Sequence, residues 1–98
     1  MWHVYYTKQA LKDIEKLKAA GLDAKAKDLI RIIKKDPLQN PPKVEKLVGN
    51  LASAYSRRIN IQHRLVYEIL VNKNGELDSD GNPWDGNIKI LRMWSHYN

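Results

Sequence analysis

Glu45, Arg57, Arg58, His63, Arg64, His96 and Tyr97 are the side chains of this 98-residue chain whose types could do chemistry together. Three guanidinium groups fall within eight residues of the stretch SRRINIQHRLVYEI (56–69). Glu45 precedes them, flanked by Lys43 and Lys46, and a His-Tyr pair closes the chain just before Asn98. Cutting a phosphodiester without metal needs a base for the attacking hydroxyl and an acid for the leaving oxygen. It also needs cationic donors for the charge that grows on the phosphorus oxygens. RNA brings its own nucleophile, the 2′-hydroxyl. The chain holds candidates for every part, with His3 the remaining histidine. Lys43, Lys46 and His63 complete the candidate substrate-binding groups. Each residue alone also suits a plainer role. A glutamate among lysines is ordinary surface charge, paired arginines protect a strand edge, a terminal His-Tyr frays, and a histidine near a strand start packs.

These groups need a scaffold to converge, and the hydrophobic pattern supplies one. Residues 2–6, WHVYY, read as a first strand. Thr7 suits a helix N-cap, and Ala10, Ile14 and Leu17, joined by Leu11, form the apolar face of the helix that follows. Gly21 suits the left-handed position that ends it. Asp23 is a candidate cap for a second helix with inner face Ala26, Leu29, Ile30 and Ile33, and Pro37 stops that helix. Residues 36–51 form a proline-rich, rigid connector. From Ala52 the period is two: Tyr55, Arg57, Ile59 and Ile61 on one face, Ser56, Arg58 and Asn60 on the other. A strand from His63 to about Val71, a long hairpin loop over 72–86 and a final strand over 88–95 complete the chain. The expected fold is α+β, in one domain spanning 1–98. A four-stranded antiparallel sheet, mixed where the N-terminal strand joins it, is covered on one face by the helical hairpin.

Composition bounds the partners. The net charge is +6 and the chain has no cysteine, which excludes disulfides and thiolate metal sites. Residues 1–50 carry 11 basic and 6 acidic side chains; residues 51–98 carry 6 and 5, four of those acids lying in GELDSDGNPWDG (75–86). Such a balance favours a polyanionic partner. No apolar run approaches the ~20 residues of a membrane span, and the start lacks a signal-peptide core. The reading is a cytoplasmic protein with no membrane partner and no cofactor. The spacing from Asp78 to Asn82 departs from a calcium loop, because its glycine comes at the fourth position and no glutamate closes it.

The combined pattern resembles the RelE superfamily of bacterial toxins, and within it the YoeB/Txe branch. It is carried by Glu45-Lys46-Leu47, Asn50-Leu51, Tyr55-Ser56-Arg57-Arg58-Ile59, His63-Arg64-Leu65-Val66-Tyr67 and His96-Tyr97. The order and most spacings agree with that branch over nearly the whole chain. Three features depart from it: Lys46 stands where proline is usual, the hairpin over 72–87 is longer, and Asn98 follows the terminal tyrosine. The resemblance implies a microbial-RNase-like RelE fold and a ribosome-dependent mRNA endonuclease that cuts the codon in the A site. It implies Glu45 as general base, His96 as general acid and Arg64 as transition-state ligand. Arg58 and Arg57 would assist, and Tyr97 would stack on or position the nucleotide. The implied partners are a cognate antitoxin, mRNA with ribosomal RNA, operator DNA through the antitoxin, and a second copy in a homodimer. A catalytically weak or inactive toxin-like binding protein acting through its antitoxin and operator DNA is the competing expectation; it would not need Glu45 or His96.

Overall fold

The computed structural model describes residues 2–47, 54–71, 75, 77, 79–83 and 85–95. Strand β1, Trp2–Tyr6, leads into helix α1, Lys8–Ala19. The Thr7 side chain caps that helix, its hydroxyl oxygen accepting from the Ala10 amide at 3.0 Å. At the far end Gly21 takes φ 72°. The Leu22 amide then reaches the Leu17 carbonyl at 2.8 Å and the Gly21 amide the Lys18 carbonyl at 3.1 Å. These two bonds satisfy carbonyls that the last turn would leave unpaired. Helix α2, Asp23–Lys35, starts directly from this turn. Leu22 sits at its N-cap and makes no side-chain cap bond, so the expectation that Asp23 caps α2 is corrected. Asp23 is instead the first helical residue, where a carboxylate favours the helix dipole.

Strands β2 (Glu45–Lys46), β3 (Ala54–Arg58), β4 (Arg64–Val71) and β5 (Gly86–Ser95) follow. The sheet order is β1-β5-β4-β3-β2, with β1 parallel to β5 and every other pair antiparallel. The sheet therefore has five strands and not the expected four. The additional one is two residues cut from the proline-rich connector, a length at which propensity carries no signal. β3 also ends earlier than its alternation suggests. The Asn60 side-chain oxygen accepts from the Gln62 and His63 amides at 2.9 and 2.6 Å, closing a turn. Ile61 is left 91% exposed at its tip, not on an inner strand face.

The two helices cover one face of the sheet. Ala10, Leu17, Ala26, Leu29 and Ile33 meet Ile59, Leu65, Tyr67, Ile88, Ile90 and Met93 in one buried cluster. Each large aliphatic side chain in it contributes roughly 1.5–3 kcal/mol by leaving water. Leu11, expected to join the inner face, is 53% exposed.

β5 reaches the site only by accommodating two extra residues. One step on β4, from Tyr67 to Val66, corresponds to two on β5, from Ile90 to Arg92. Two steps further, to Arg64, correspond to three, ending at Ser95. Bulges of this kind take backbone groups out of the ladder, and α1 with its cap supplies partners for two of them. The Thr7 hydroxyl donates to the Leu91 carbonyl at 2.8 Å, and the Met93 amide donates to a buried Asp13 carboxylate oxygen at 2.9 Å. The helix is thus bound to the strand end that faces Arg64.

Candidate active site

β3 has two faces with opposite tasks. Tyr55 and Arg57 point toward the helical layer; Ala54, Ser56 and Arg58 point away from it, opposite Glu68, Val66 and Arg64 of β4. Arg57 is 1% exposed. Its Nε donates to the Tyr67 hydroxyl at 3.1 Å, Nη1 to the Pro42 carbonyl at 2.7 Å and Nη2 to the Pro37 carbonyl at 3.0 Å. The Tyr67 hydroxyl in turn donates to the Pro37 carbonyl at 2.6 Å. Burial of this phenol pushes its pKa up, and the Arg57 charge opposes the shift. Arg57 therefore ties the connector to the sheet on both sides of its bend. The expectation that it binds substrate is corrected by position: the guanidinium is buried, and its Nε, Nη1 and Nη2 each donate to one of the protein's own oxygens.

The connector so held delivers Glu45 to the edge of β3, where it pairs with Ser56. A small cleft of about 80 Å³ opens there, lined by Pro42, Lys43, Glu45, Ser56, Arg58 and Arg64. It holds three cationic side chains and one carboxylate. Glu45 Oε2 accepts from Arg64 Nη1 at 3.0 Å, while Lys43 Nζ lies 3.5 Å from Oε1. The Arg64 guanidinium, and more weakly the Lys43 ammonium, hold the Glu45 carboxyl below its ordinary pKa, against a smaller opposing effect of desolvation. Arg58 and Arg64 are direct cross-strand neighbours. Like charges in that arrangement repel, so the pair favours an anion between or above them.

The structure thus brings together Lys43, Glu45, Arg58 and Arg64, and keeps three other expected groups apart. Lys46 follows Glu45 on β2, is exposed and does not line the cleft. His63 is 6% exposed, with its ring stacked on Trp94 at a centroid distance of 4.0 Å. It packs in the interior, which corrects its expected place among the substrate-binding groups. Arg57 is the third. His96 and Tyr97 lie outside the described residues, as does Asp78; β5 is described to Ser95, whose pairing partner is Arg64. Ser56 does not stand out by its type, although the alternation of β3 places it on the face of Arg58.

Size does not mark the site. A larger depression, about 350 Å³, runs along Asp28, Arg31, Ile32, Lys35 and Gln39. Its carboxylate is already paired with Arg31 at 3.2 Å, and it offers no base beside spare arginines. Among the described residues no three His, Cys, Asp or Glu side chains gather to hold a metal ion. Among the same residues no helix is long and apolar enough to cross a membrane.

A YoeB/ParE toxin from Agrobacterium tumefaciens shares this fold with a TM-score of 0.77 and 28% identity, over 97% of this chain and 99% of its own. YoeB from Staphylococcus aureus, solved as a dimer, is 31% identical with a TM-score of 0.72, over 98% of both chains. A YoeB–YefM complex from S. aureus has also been solved, its matching chain at 31% identity, with a TM-score of 0.70 and 99% of both chains covered. In sequence, Toxin YoeB of Synechocystis sp. (strain ATCC 27184 / PCC 6803 / Kazusa) is 43% identical over 68 residues, 69% of this chain and 71% of that protein. Sheet, helices and cleft together define a toxin of the RelE superfamily. More narrowly, residues 6–97 match the sequence model of the YoeB-like toxin of bacterial type II toxin-antitoxin systems, and the chain belongs to that family.

Proposed function

We propose that this toxin is an mRNA endonuclease that acts on the codon in the ribosomal A site, without a metal, and that a cognate antitoxin restrains it. The observation that carries this reading is the cleft in which one carboxylate is surrounded by Lys43, Arg58 and Arg64. An entering phosphate competes with Glu45 for Arg64. Once Arg64 turns to the phosphate, the carboxylate loses its strongest cationic neighbour and becomes a better base. Glu45 then takes the proton of the 2′-hydroxyl, whose oxygen attacks phosphorus. The bond from phosphorus to the 5′-oxygen breaks, leaving a cyclic 2′,3′-phosphate, and His96 gives that 5′-oxygen its proton. Arg58 and Arg64 neutralise the charge that builds on the non-bridging oxygens. Tyr97 stacks on or positions the nucleotide.

The relatives solved with YefM and as a dimer support an antitoxin partner and a homodimer here. The cationic cleft suits an acidic antitoxin segment, and operator DNA is the further partner we propose, reached through that antitoxin. The test is cleavage of mRNA in a purified translation complex by the parent protein, Glu45→Gln and His96→Gln. Each variant is expected to lose about 10²–10⁴-fold in rate, the range for a general acid or base, with an unchanged fold by circular dichroism. Full activity in both folded variants sinks the assignment.

A further inference from the structure

Ser56 lies in the cleft, and no step above uses it. The residue is 1% exposed, and its hydroxyl oxygen is buried with no hydrogen-bond partner. A buried hydroxyl without a partner is unfavourable, and such a group points to a second state in which it is paired. Its surroundings indicate which state. Ser56 stands directly across from Glu45 on one side and Val66 on the other. Directly opposed residues share a face, with Cβ atoms roughly 4.5–5.5 Å apart. Glu45 is on β2 and Arg64 on β4, so they meet at 3.0 Å only by reaching across β3. The β3 residues beneath that crossing are Ser56 and Arg58. The ion pair therefore spans the serine, and the small side chain leaves room for it.

We propose that Ser56 is a positioning residue for Glu45: when a substrate phosphate draws Arg64 away, the Ser56 hydroxyl donates to the Glu45 carboxylate and keeps it aimed at the attacking hydroxyl. The inference rests on the reading of Glu45 as base and Arg64 as phosphate ligand. Lys43 cannot serve this purpose equally well. Its side chain is 77% exposed, and a flexible ammonium stem fixes charge without fixing direction. A serine on a central strand places its hydroxyl through one side-chain torsion from a rigid base.

The test separates the hydrogen bond from the catalysis. The charged groups facing Glu45 are Lys43 from its own connector, Arg58 from β3 and Arg64 from β4. The Glu45 carboxyl is titrated by carbon-13 NMR in the parent, Ser56→Ala, Arg64→Ala and the double variant. Ser56→Ala alone is expected to leave the Glu45 pKa where it is, because the hydroxyl is unpaired there. In the Arg64→Ala background the same substitution is expected to raise it, since a donor to the charged form is lost. Cleavage of A-site mRNA by Ser56→Ala is expected to fall on the order of tenfold in kcat with KM unchanged, the weight of one charge-assisted hydrogen bond. Its melting temperature should equal or exceed the parent's. Ser56→Cys keeps the volume with a weak donor, should fall between, and carries the same comparisons if Ser56→Ala does not fold. Equal Glu45 pKa values in Arg64→Ala and the double variant overturn the proposal, as does parental kcat in Ser56→Ala. Glu45→Gln is assayed alongside. If it cleaves at the parental rate, the reading of Glu45 as base falls and takes this inference with it; if it is inactive while Ser56→Ala is not impaired, the inference alone falls.

Discussion

A single step along β3 carries a guanidinium from the interior to the cleft. Arg57 gives its donors to Pro37, Pro42 and Tyr67, whereas Arg58 is exposed beside Glu45 and Arg64. Removing the first side chain leaves buried acceptors short of donors; removing the second leaves nothing buried. Arg57→Ala is therefore expected to lose roughly 2–4 kcal/mol of stability, and Arg58→Ala to change it by no more than about 0.5 kcal/mol. Cleavage should follow another order, with Arg64→Ala losing most, Arg58→Ala next, and Arg57→Ala impaired in proportion to its loss of folded protein. Urea unfolding beside single-turnover cleavage checks both orders, and equal unfolding midpoints for Arg57→Ala and Arg58→Ala would remove the structural role of Arg57. The strand period alone puts the two arginines on opposite faces. It does not say which face is inward, because arginine is rarely buried unless paired. The partners of Arg57 include backbone carbonyls of prolines 15 and 20 residues away, and a carbonyl leaves no mark in a sequence. Glu45 adds a pH dependence of known sign. Its folded-state pKa is lowered by Arg64, so its contribution to stability is present above the unfolded pKa and is lost as pH falls through the folded one. The pair is partly exposed, which keeps that contribution small.

At the scale of elements, the site depends on where two strand ends are held. The Arg57 hydrogen bonds fix the short β2, and α1 fixes the end of β5. Asp13 is 2% exposed and accepts from the Met93 amide and from the Gln9 side chain at 2.8 Å. Asp13→Ala leaves that amide, freed by the bulge, without its acceptor and is expected to cost about 1–3 kcal/mol. Amide exchange at Met93, Trp94 and Ser95 should accelerate, and cleavage should fall because His96 follows directly. Asp13→Asn retains an acceptor oxygen and should restore most of both. Unchanged exchange at those three amides would show that β5 needs no support from the helix. The helices and long strands are legible in their periodicity, and Thr7 and Gly21 in their residue types. Asp13 is not, since a carboxylate on a lysine-rich helix reads as surface charge. β2 is not, since two residues have no period and their pairing with Ser56 and Tyr55 sets them as a strand.

For the whole molecule, the decisive feature is a cationic cleft that holds the Glu45 carboxyl charged and below its ordinary pKa. The net charge of +6 attracts RNA in general and selects no sequence. In the proposed mechanism the Glu45–Arg64 ion pair, 3.0 Å long, opens before either group acts on a phosphodiester. A short free RNA brings charge to the cleft but little binding energy to align its 2′-hydroxyl in line with the leaving oxygen. Ribosomal RNA around an A-site codon can do both, and alignment alone can supply ~7–11 kcal/mol of the barrier. Free mRNA is accordingly expected to be cut slowly and the same mRNA in a translation complex efficiently, at equal protein concentration. Raising salt should weaken cleavage in the complex, since contacts to phosphates are lost as counterions compete. Arg64→Ala, which removes the stronger partner of Glu45 without any ribosome, should not recover cleavage of free RNA, because it removes the proposed phosphate ligand along with the restraint. Comparable cleavage of free and ribosome-bound mRNA by the parent protein would reject the dependence and describe a free-standing ribonuclease on the same scaffold.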